Sequence, residues 1–383
     1  MPRRRKKSIR NIALLAIGVV VVFVIVKALF MLLSYAPVAY QFAFNKEIDL
    51  KRTGDQRVNI LLLGIGGGIH DGPNLTDTII FASIDPKQKK VTMVTLPRDL
   101  WAADLNAKLN IAYARGQDQG TGKGLILSKA VVGKILGQKI DYGFRIDFSG
   151  FIKAVDYMGG LDIDVERTFD DFAYPVEGKE DDLCGIEEQA VATLSAQIAT
   201  GSAVDSDYFP CRFESLHFDK GMQYMDGVTA LKYVRSRHAL GPEGSDFARS
   251  RRQEKVISAF KEKVFSVGTI LNPLKLLSLF DTFQSSIDTD ITKDEYDDFV
   301  KLAQKMKGAP TKNYVIDAGN EAEGRPELLI NPPVSLDQYG GAWVLVPKAG
   351  PRDYVDIQSY VRCLVEGTGC PVSPTPPAQV NNN

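Results

Sequence analysis

The chain of 383 residues is 44% hydrophobic and 24% charged, with 46 Lys and Arg against 47 Asp and Glu. That composition excludes the disordered, collagen-like and small disulfide-knot classes and leaves enough apolar residues for a sizeable core. The near-neutral total conceals a division: residues 1–33 hold seven basic and no acidic residues, so the rest holds 39 basic against 47 acidic, which argues against a nucleic-acid-binding body.

The first element in chain order is an anchor. Arg3, Arg4, Arg5, Lys6, Lys7 and Arg10 directly precede the apolar run 12–33, which as a helix would be about 33 Å long and would cross a hydrocarbon core of about 30 Å. Lys27 interrupts the run close enough to its end for its stem to snorkel to the interface. A cleaved signal peptide is the rival reading, but the run is long and no Ala-x-Ala site follows it. The basic end, 1–11, sets the N-terminus in the cytoplasm and places the chain from about residue 38 outward. The expectation is a single-pass cell-membrane protein with an extracellular domain, joined to its anchor by a stalk over 34–56.

After the stalk, VNILLL (58–63), TIIFASI (78–84) and VTMVTL (91–96) are short, β-branched and apolar on both faces, as buried strands are. A helix is expected over 124–137, a strand over 142–148, a helix over 149–159 and a strand over 161–165. This alternation predicts a three-layer α/β/α domain with a central mixed sheet over 57–310. Residues 168–215 form a turn-rich, acidic insertion. Downstream come GVTALKYV (227–234), a long helix over 247–266, further helical segments to about residue 307, and a C-terminal extension over 311–370, strand-rich across 312–348 and ending in a short helix. The tail 371–383 is Pro- and Asn-rich and predicted to be disordered. Four cysteines fall as two local pairs, Cys184 with Cys211 and Cys363 with Cys370. Two disulfides are expected, with four free thiols as the alternative. His70, His217 and His238 are too few for a histidine metal cluster.

The glycines of GIGGG (64–68) follow a strand and invite a phosphate-loop reading, which fails. No Gly-Lys-Ser/Thr follows, and Ile69 stands where a third loop glycine would be needed. More informative is the helix opening at Asp246. Positions 246, 249 and 253 share an azimuth that Ile257, Phe260 and Val264 continue, so Asp246, Arg249 and Gln253 head an inward-facing stripe. Arginines aimed inward beside a helix N-terminus make an anion site suited to phosphate. A solvated helix start capped by Asp246 is the ordinary alternative. Just upstream, Arg235 and Arg237 alternate, and in an extended strand end both would face one way. Together with Arg252, the cluster suggests a polyanionic ligand, most economically a pyrophosphate. On the other half of the domain Asp77 opens one strand, and Asp99, beside Arg98, follows the end of the next. Such acids beside arginines can hold Mg²⁺ on phosphate oxygens or act as a base toward a hydroxyl, while each alone also suits a turn.

The segments NILLLG, LTDTIIFASIDPKQKKVTMVTLPRDLW, KIDYGFRIDFSGFIKAVDYMGGLDIDV, GMQYMDGVTALKYVRSRH and SDFARSRRQEKVISAF together resemble the LytR-CpsA-Psr family of cell-envelope proteins, over about residues 57–265. The resemblance implies a phosphotransferase that moves a glycopolymer from a polyprenyl-pyrophosphate carrier onto a peptidoglycan hydroxyl through a phosphodiester, with Mg²⁺ at the pyrophosphate and the lipid tail in an apolar pocket of the domain. By motif it implies catalytic roles for Asp77, Arg98, Asp99 and Asp246, pyrophosphate contacts from Arg235, Arg237, Arg249, Arg252 and Gln253, and Asp77 as a metal ligand. Two departures stand out. Gly64-Ile65-Gly66 replaces the family's usual Gly-Ser-Asp, leaving Asp71 as the nearest substitute metal ligand, and Leu75 replaces an expected arginine. Two other readings need the same phosphate site: a hydrolase that cleaves the same lipid with water, and a non-catalytic binder of lipid-linked polymer.

Overall fold

The computed structural model describes residues 48–52, 57–68, 72–199, 204–264, 286–319, 325–367 and 370, without the side chains of Glu188, Ala199, Asp246, Phe247, Ser250, Lys261 and Val264. The expected anchor at 12–33, the tail 371–383 and the candidate ligand Asp71 lie outside the described residues. Among those described, no helix is long and apolar enough to cross a membrane.

The chain has a mixed α/β fold. Its main sheet holds six strands in the order β11-β6-β1-β2-β3-β12, with β1 (Val58–Ile65), β2 (Thr76–Asp85), β3 (Lys90–Leu96), β6 (Tyr142–Asp147), β11 (Ile287–Thr289) and β12 (Thr311–Val315). β1, β2 and β3 form an antiparallel meander, while β6 and β12 run parallel to β1 and β3. The β2–β3 turn is set by Asp85, whose Oδ1 accepts from the backbone N–H of Lys87 and Gln88, a local alternative to ladder bonding that aspartate offers readily. A small hairpin, β4 (Trp101–Ala102) with β5 (Ala107–Lys108), follows β3.

Strand periodicity divides the core. Leu61, Leu63, Ile65, Phe81 and Val94 point to one face, where α1 (Ala112–Asp118), α2 (Lys123–Leu136) and α8 (Val355–Glu366) bury Tyr113, Leu125, Ile135 and Val361 against them. On the other face, Val58 and Tyr142 meet Leu302 of α7 (Tyr296–Lys305) and Met306 just past its end, while Leu62, Ile80, Ala82 and Met93 meet Ile257 of α6 (Asp246–Val264). A second core lies beyond α6. It joins Val256 to Val155 of α3 (Phe148–Tyr157), Tyr233 of α5 (Gly227–Arg235), Ile163 of β7 (Leu161–Val165) and Met225 of β10 (Gly221–Met225), together with the ribbon β8 (Phe169–Pro175) and β9 (Phe213–Phe218). Helix α6 is therefore wedged between two apolar bodies.

Between β8 and β9 runs a loop that carries α4 (Glu188–Ala199) and is closed by the Cys184–Cys211 disulfide; Cys363 and Cys370 are also bonded. The stretch expected to be strand-rich, 312–348, differs: beyond β12 its described residues hold only the two-residue pair β13 (Leu329–Ile330) and β14 (Val346–Pro347) and one short helical turn. Pro326, Pro332 and Pro333, on either side of β13, explain this, since each removes a ladder donor. Even so, residues after 310 supply an edge strand of the main sheet and a helix of its first layer. Replacing Cys184 and Cys211 together by alanine frees a loop with a sequence separation of 27. The chain-entropy argument then gives a loss of about 3 kcal/mol, to be read as a lower urea midpoint for the ribbon and the second core.

Candidate functional site

The strand ends at one edge of the β1–β2–β3 meander gather the acids and arginines. Asp77 is the second residue of β2, beside Thr78, which pairs with Gly64 of β1. β3 ends at Leu96, and the turn after it, in which Leu100 N–H donates to the Pro97 carbonyl, presents Arg98 and Asp99. Arg98 Nη1 donates to Asp77 Oδ1 at 2.5 Å, and its Nε lies 3.4 Å from Asp99 Oδ2. Arg237 Nη2 reaches the same Asp77 Oδ1 at 3.6 Å. Gln253 Nε2 donates to Thr78 Oγ1 at 3.3 Å, which fixes the α6 edge of the group. Burial alone would depress the Arg98 guanidinium, but hydrogen bonding and charge from Asp77, joined by Asp99, outweigh it and raise Arg98 above its ordinary value.

Lys108 is an addition that the sequence pattern did not single out. The β4–β5 pairing of Trp101 with Lys108 folds it back, and its Nζ donates to Asp99 Oδ1 at 2.6 Å. The available signal was the turn between these strands, where Asn106 takes a positive φ of 47°. Three cations, Arg98, Lys108 and Arg237, thus face two carboxylates, Asp77 and Asp99. All five side chains retain 20–37% exposure, open enough to exchange partners with an incoming anion.

The other candidates fall in different places. Arg235 ends α5 instead of lying in a strand, and its guanidinium stacks over Phe148 at 4.1 Å and near Tyr174 at 5.8 Å. Ser236 then turns extended, with its hydroxyl on buried Asp171, so Arg235 and Arg237 flank an inward-facing serine. Arg249 is half-buried on α6, one turn before Gln253. The side chain of Asp246 is outside the described residues.

Arg252 requires a correction as a phosphate contact. It is 2% exposed and points into the second core, where Nη1 donates to the carbonyl and Oε2 of Glu243, Nη2 donates to the Ser236 carbonyl, and the guanidinium sits 4.9 Å from the Phe169 ring. Burial lowers its pKa from the usual arginine value, against the pull of Glu243. Helical spacing gives the reason. Positions 248, 252 and 256 share a face, with Ala248 buried and Val256 in the second core, whereas 249, 253 and 257 share the face toward the sheet.

The glycines after β1 act through the backbone. Gly67 has φ of +67°, and a Cβ there would stand 2.8 Å from the Cβ of Asp147, which caps α3 through the Gly150 N–H. Glycine is required at this close approach. Leu75, at the position expected to hold an arginine, packs its side chain toward Gly72.

Comparison with known proteins adds to this geometry. The model of the LytR_cpsA_psr family matches residues 35–318. The chain is 25% identical over 254 residues to the polyisoprenyl-teichoic acid–peptidoglycan teichoic acid transferase TagV of Bacillus subtilis, covering 64% of this chain and 52% of that protein. It is 26% identical over 272 residues to the transferase TagU of Enterococcus faecalis, covering 69% and 71%. The chain thus spans about half the length of that TagV relative. The crystal structure of B. subtilis TagV shares the fold, with a TM-score of 0.51 at 21% identity over 82% of this chain and 99% of that one.

The two arginine environments predict losses of stability of different size. Arg252→Met leaves Glu243 and the Ser236 carbonyl buried without this donor and should cost about 3 kcal/mol. Arg237→Ala, at a half-exposed pair, should cost under about 1 kcal/mol. Urea unfolding of both variants distinguishes them, and equal losses would contradict the assignment.

Proposed function

Because this chain belongs to the LytR_cpsA_psr family, we propose that it is a glycopolymer phosphotransferase that moves a polymer from a polyprenyl-pyrophosphate carrier to a peptidoglycan hydroxyl. The observation that carries the reading is the placement of Asp77, Arg98, Asp99, Lys108, Arg237 and Gln253 at one sheet edge. The names of the TagV and TagU relatives support the same chemistry.

In this account the pyrophosphate displaces the carboxylate partners of Arg98 and Arg237, whose planar forks suit phosphate oxygens, while Gln253 and Lys108 add donors. Arg249 and Arg235 complete the clamp from the α6 and α5 sides. The acceptor hydroxyl attacks the phosphorus on the glycan side, its proton passing to Asp99. A new O–P bond forms as the bridging P–O bond breaks, and polyprenyl monophosphate leaves with the bridging oxygen. Arginine donors aimed at the phosphoryl oxygens stabilise charge where it develops. The donor chemistry of Asp77, an oxygen ligand at the edge of an arginine cluster, fits Mg²⁺. Asp77 would hold the ion, with Asp246 and Asp71 as the further acids, and it would supply charge neutralisation at the pyrophosphate. Leu62, Phe144 and Ile257, half-buried between the sheet and α6, offer apolar surface to the polyprenyl chain. The run 12–33 anchors the domain in the membrane that holds this lipid, with the N-terminus cytoplasmic and the domain extracellular.

The test uses full-length protein in detergent with a polyprenyl-pyrophosphate-linked glycan, Mg²⁺ and peptidoglycan fragments. Polyprenyl monophosphate and a glycan–peptidoglycan phosphodiester should appear together, and Arg237→Ala should lower kcat/KM by about 10² to 10³. Absence of monophosphate, or an Arg237→Ala variant as active as the parent, would sink the proposal. Release at an equal rate without acceptor would make the protein a hydrolase.

A further inference from the structure

The residue that the site description leaves unexplained is Asp171, in the β8 strand that opens the insertion. Its side chain belongs to a residue with 0% exposure, and its carboxylate accepts four hydrogen bonds. Oδ1 takes the Ala173 N–H at 3.1 Å. Oδ2 takes the Ser236 hydroxyl at 2.7 Å, the Arg237 N–H at 3.1 Å and the His238 N–H at 3.2 Å. Three consecutive residues of the segment after α5 are therefore held by one oxygen atom, and an isolated bridge between Asp171 and Ala239 extends the attachment.

The same segment is gripped from its other side. The Ser236 carbonyl accepts from Arg252 Nη2 at 2.7 Å, and Arg252 is itself fixed by Glu243. Ser236, also at 0% exposure, is thus pinned through its hydroxyl by the β8–β9 ribbon and through its carbonyl by α6. Arg235 and Arg237 project on either side of it, and Arg237 is the residue that meets Asp77 across the site. A buried carboxylate is costly unless its hydrogen bonds are satisfied, so its retention at the root of an arginine segment needs a reason.

We infer that Asp171 is a positioning residue for pyrophosphate binding, holding the Ser236–His238 backbone so that Arg237 is pre-set toward the Asp77 and Arg98 group. Preorganisation of this kind appears as affinity, because binding then need not order the segment. The inference rests on the proposed pyrophosphate site and assigns to the insertion a part in it: the ribbon whose loop the Cys184–Cys211 disulfide closes carries the anchor of the arginine segment.

The experiment is a double-mutant cycle on full-length protein in detergent, with geranyl pyrophosphate as the probe and its dissociation constant as the readout. Asp171→Asn keeps the shape, but an amide in place of a carboxylate cannot accept all four bonds. It should weaken binding about tenfold in the parent background, the equivalent of one lost charge-assisted hydrogen bond. In an Arg237→Ala background, the same change should weaken it less than twofold, since Asp171 acts through Arg237. Equal losses in both backgrounds would show a general structural effect and overturn the inference. Amide hydrogen exchange gives a second readout: Arg237 and His238 should lose protection in Asp171→Asn while β1 to β3 keep theirs. Unchanged protection at those two amides would also overturn it. If Arg237→Ala alone leaves geranyl pyrophosphate binding intact, it is the pyrophosphate reading that fails, and the exchange result still decides the role of Asp171.

Discussion

The placement of Gln253 and Arg252 on opposite sides of the arginine segment depends on helix α6 having two buried faces. Ile257 presses on the main sheet while Val256 enters the second core, and adjacent residues on a helix are about 100° apart. The two apolar surfaces together fix the rotation of the helix about its axis. That rotation sends Gln253 to Thr78 on β2 and Arg252 to Glu243 and Ser236 behind the site. Two neighbouring polar residues therefore acquire different work, Gln253 at the open edge and Arg252 in the interior.

The second consequence is that the segment between α5 and α6 is fixed from both sides. Arg252 holds it from the helix and Asp171 from the ribbon. Arg237 then reaches Asp77, which is also held by Arg98, while Asp99 lies between Arg98 and Lys108. The group couples β2, the turn after β3, the β4–β5 hairpin and the segment after α5 by charge, across side chains that still face solvent. Such pairs stabilise little at the surface. Their half-exposed guanidinium and ammonium groups are more useful as donors to an anion that can replace the carboxylates.

Much of this was legible in the sequence because periodicity reports burial. The strands at 58–63, 78–84, 91–96 and 161–165 and the helix at 124–137 match observed elements to within a few residues, since each has one or two buried faces that the pattern records. The Asp77, Arg98 and Asp99 group was legible for a simpler reason: charged residues at the ends of buried strands must emerge at a sheet edge. Arg252 came into the pyrophosphate set through the arginine cluster and the family motif, not through the stripe of 246, 249 and 253, and neither signal records that α6 has a second buried face, where Arg252 meets Glu243 and Ser236. Asp171 was invisible because an aspartate in an acidic insertion looks solvated until the segment that it anchors, some 65 residues away in sequence, is brought against it. Lys108 depended on a hairpin only two residues deep on each side. Among the described residues after 315 the expected strands shrink to β13 and β14, because the prolines beside β13 remove ladder donors, a local veto that overrides an otherwise apolar pattern.

The central claim is that an acceptor hydroxyl, not water, attacks the lipid-linked pyrophosphate at the edge where Asp77, Arg98, Asp99 and Arg237 meet. The most direct measurement is isotopic. Full-length protein is incubated with polyprenyl-pyrophosphate-linked glycan, Mg²⁺ and peptidoglycan fragments in ¹⁸O-enriched water, and both phosphorus-containing products are weighed by mass spectrometry. The account predicts a glycan–peptidoglycan phosphodiester and polyprenyl monophosphate that both lack ¹⁸O. Glycan phosphate carrying one ¹⁸O atom, with no phosphodiester formed, would contradict it.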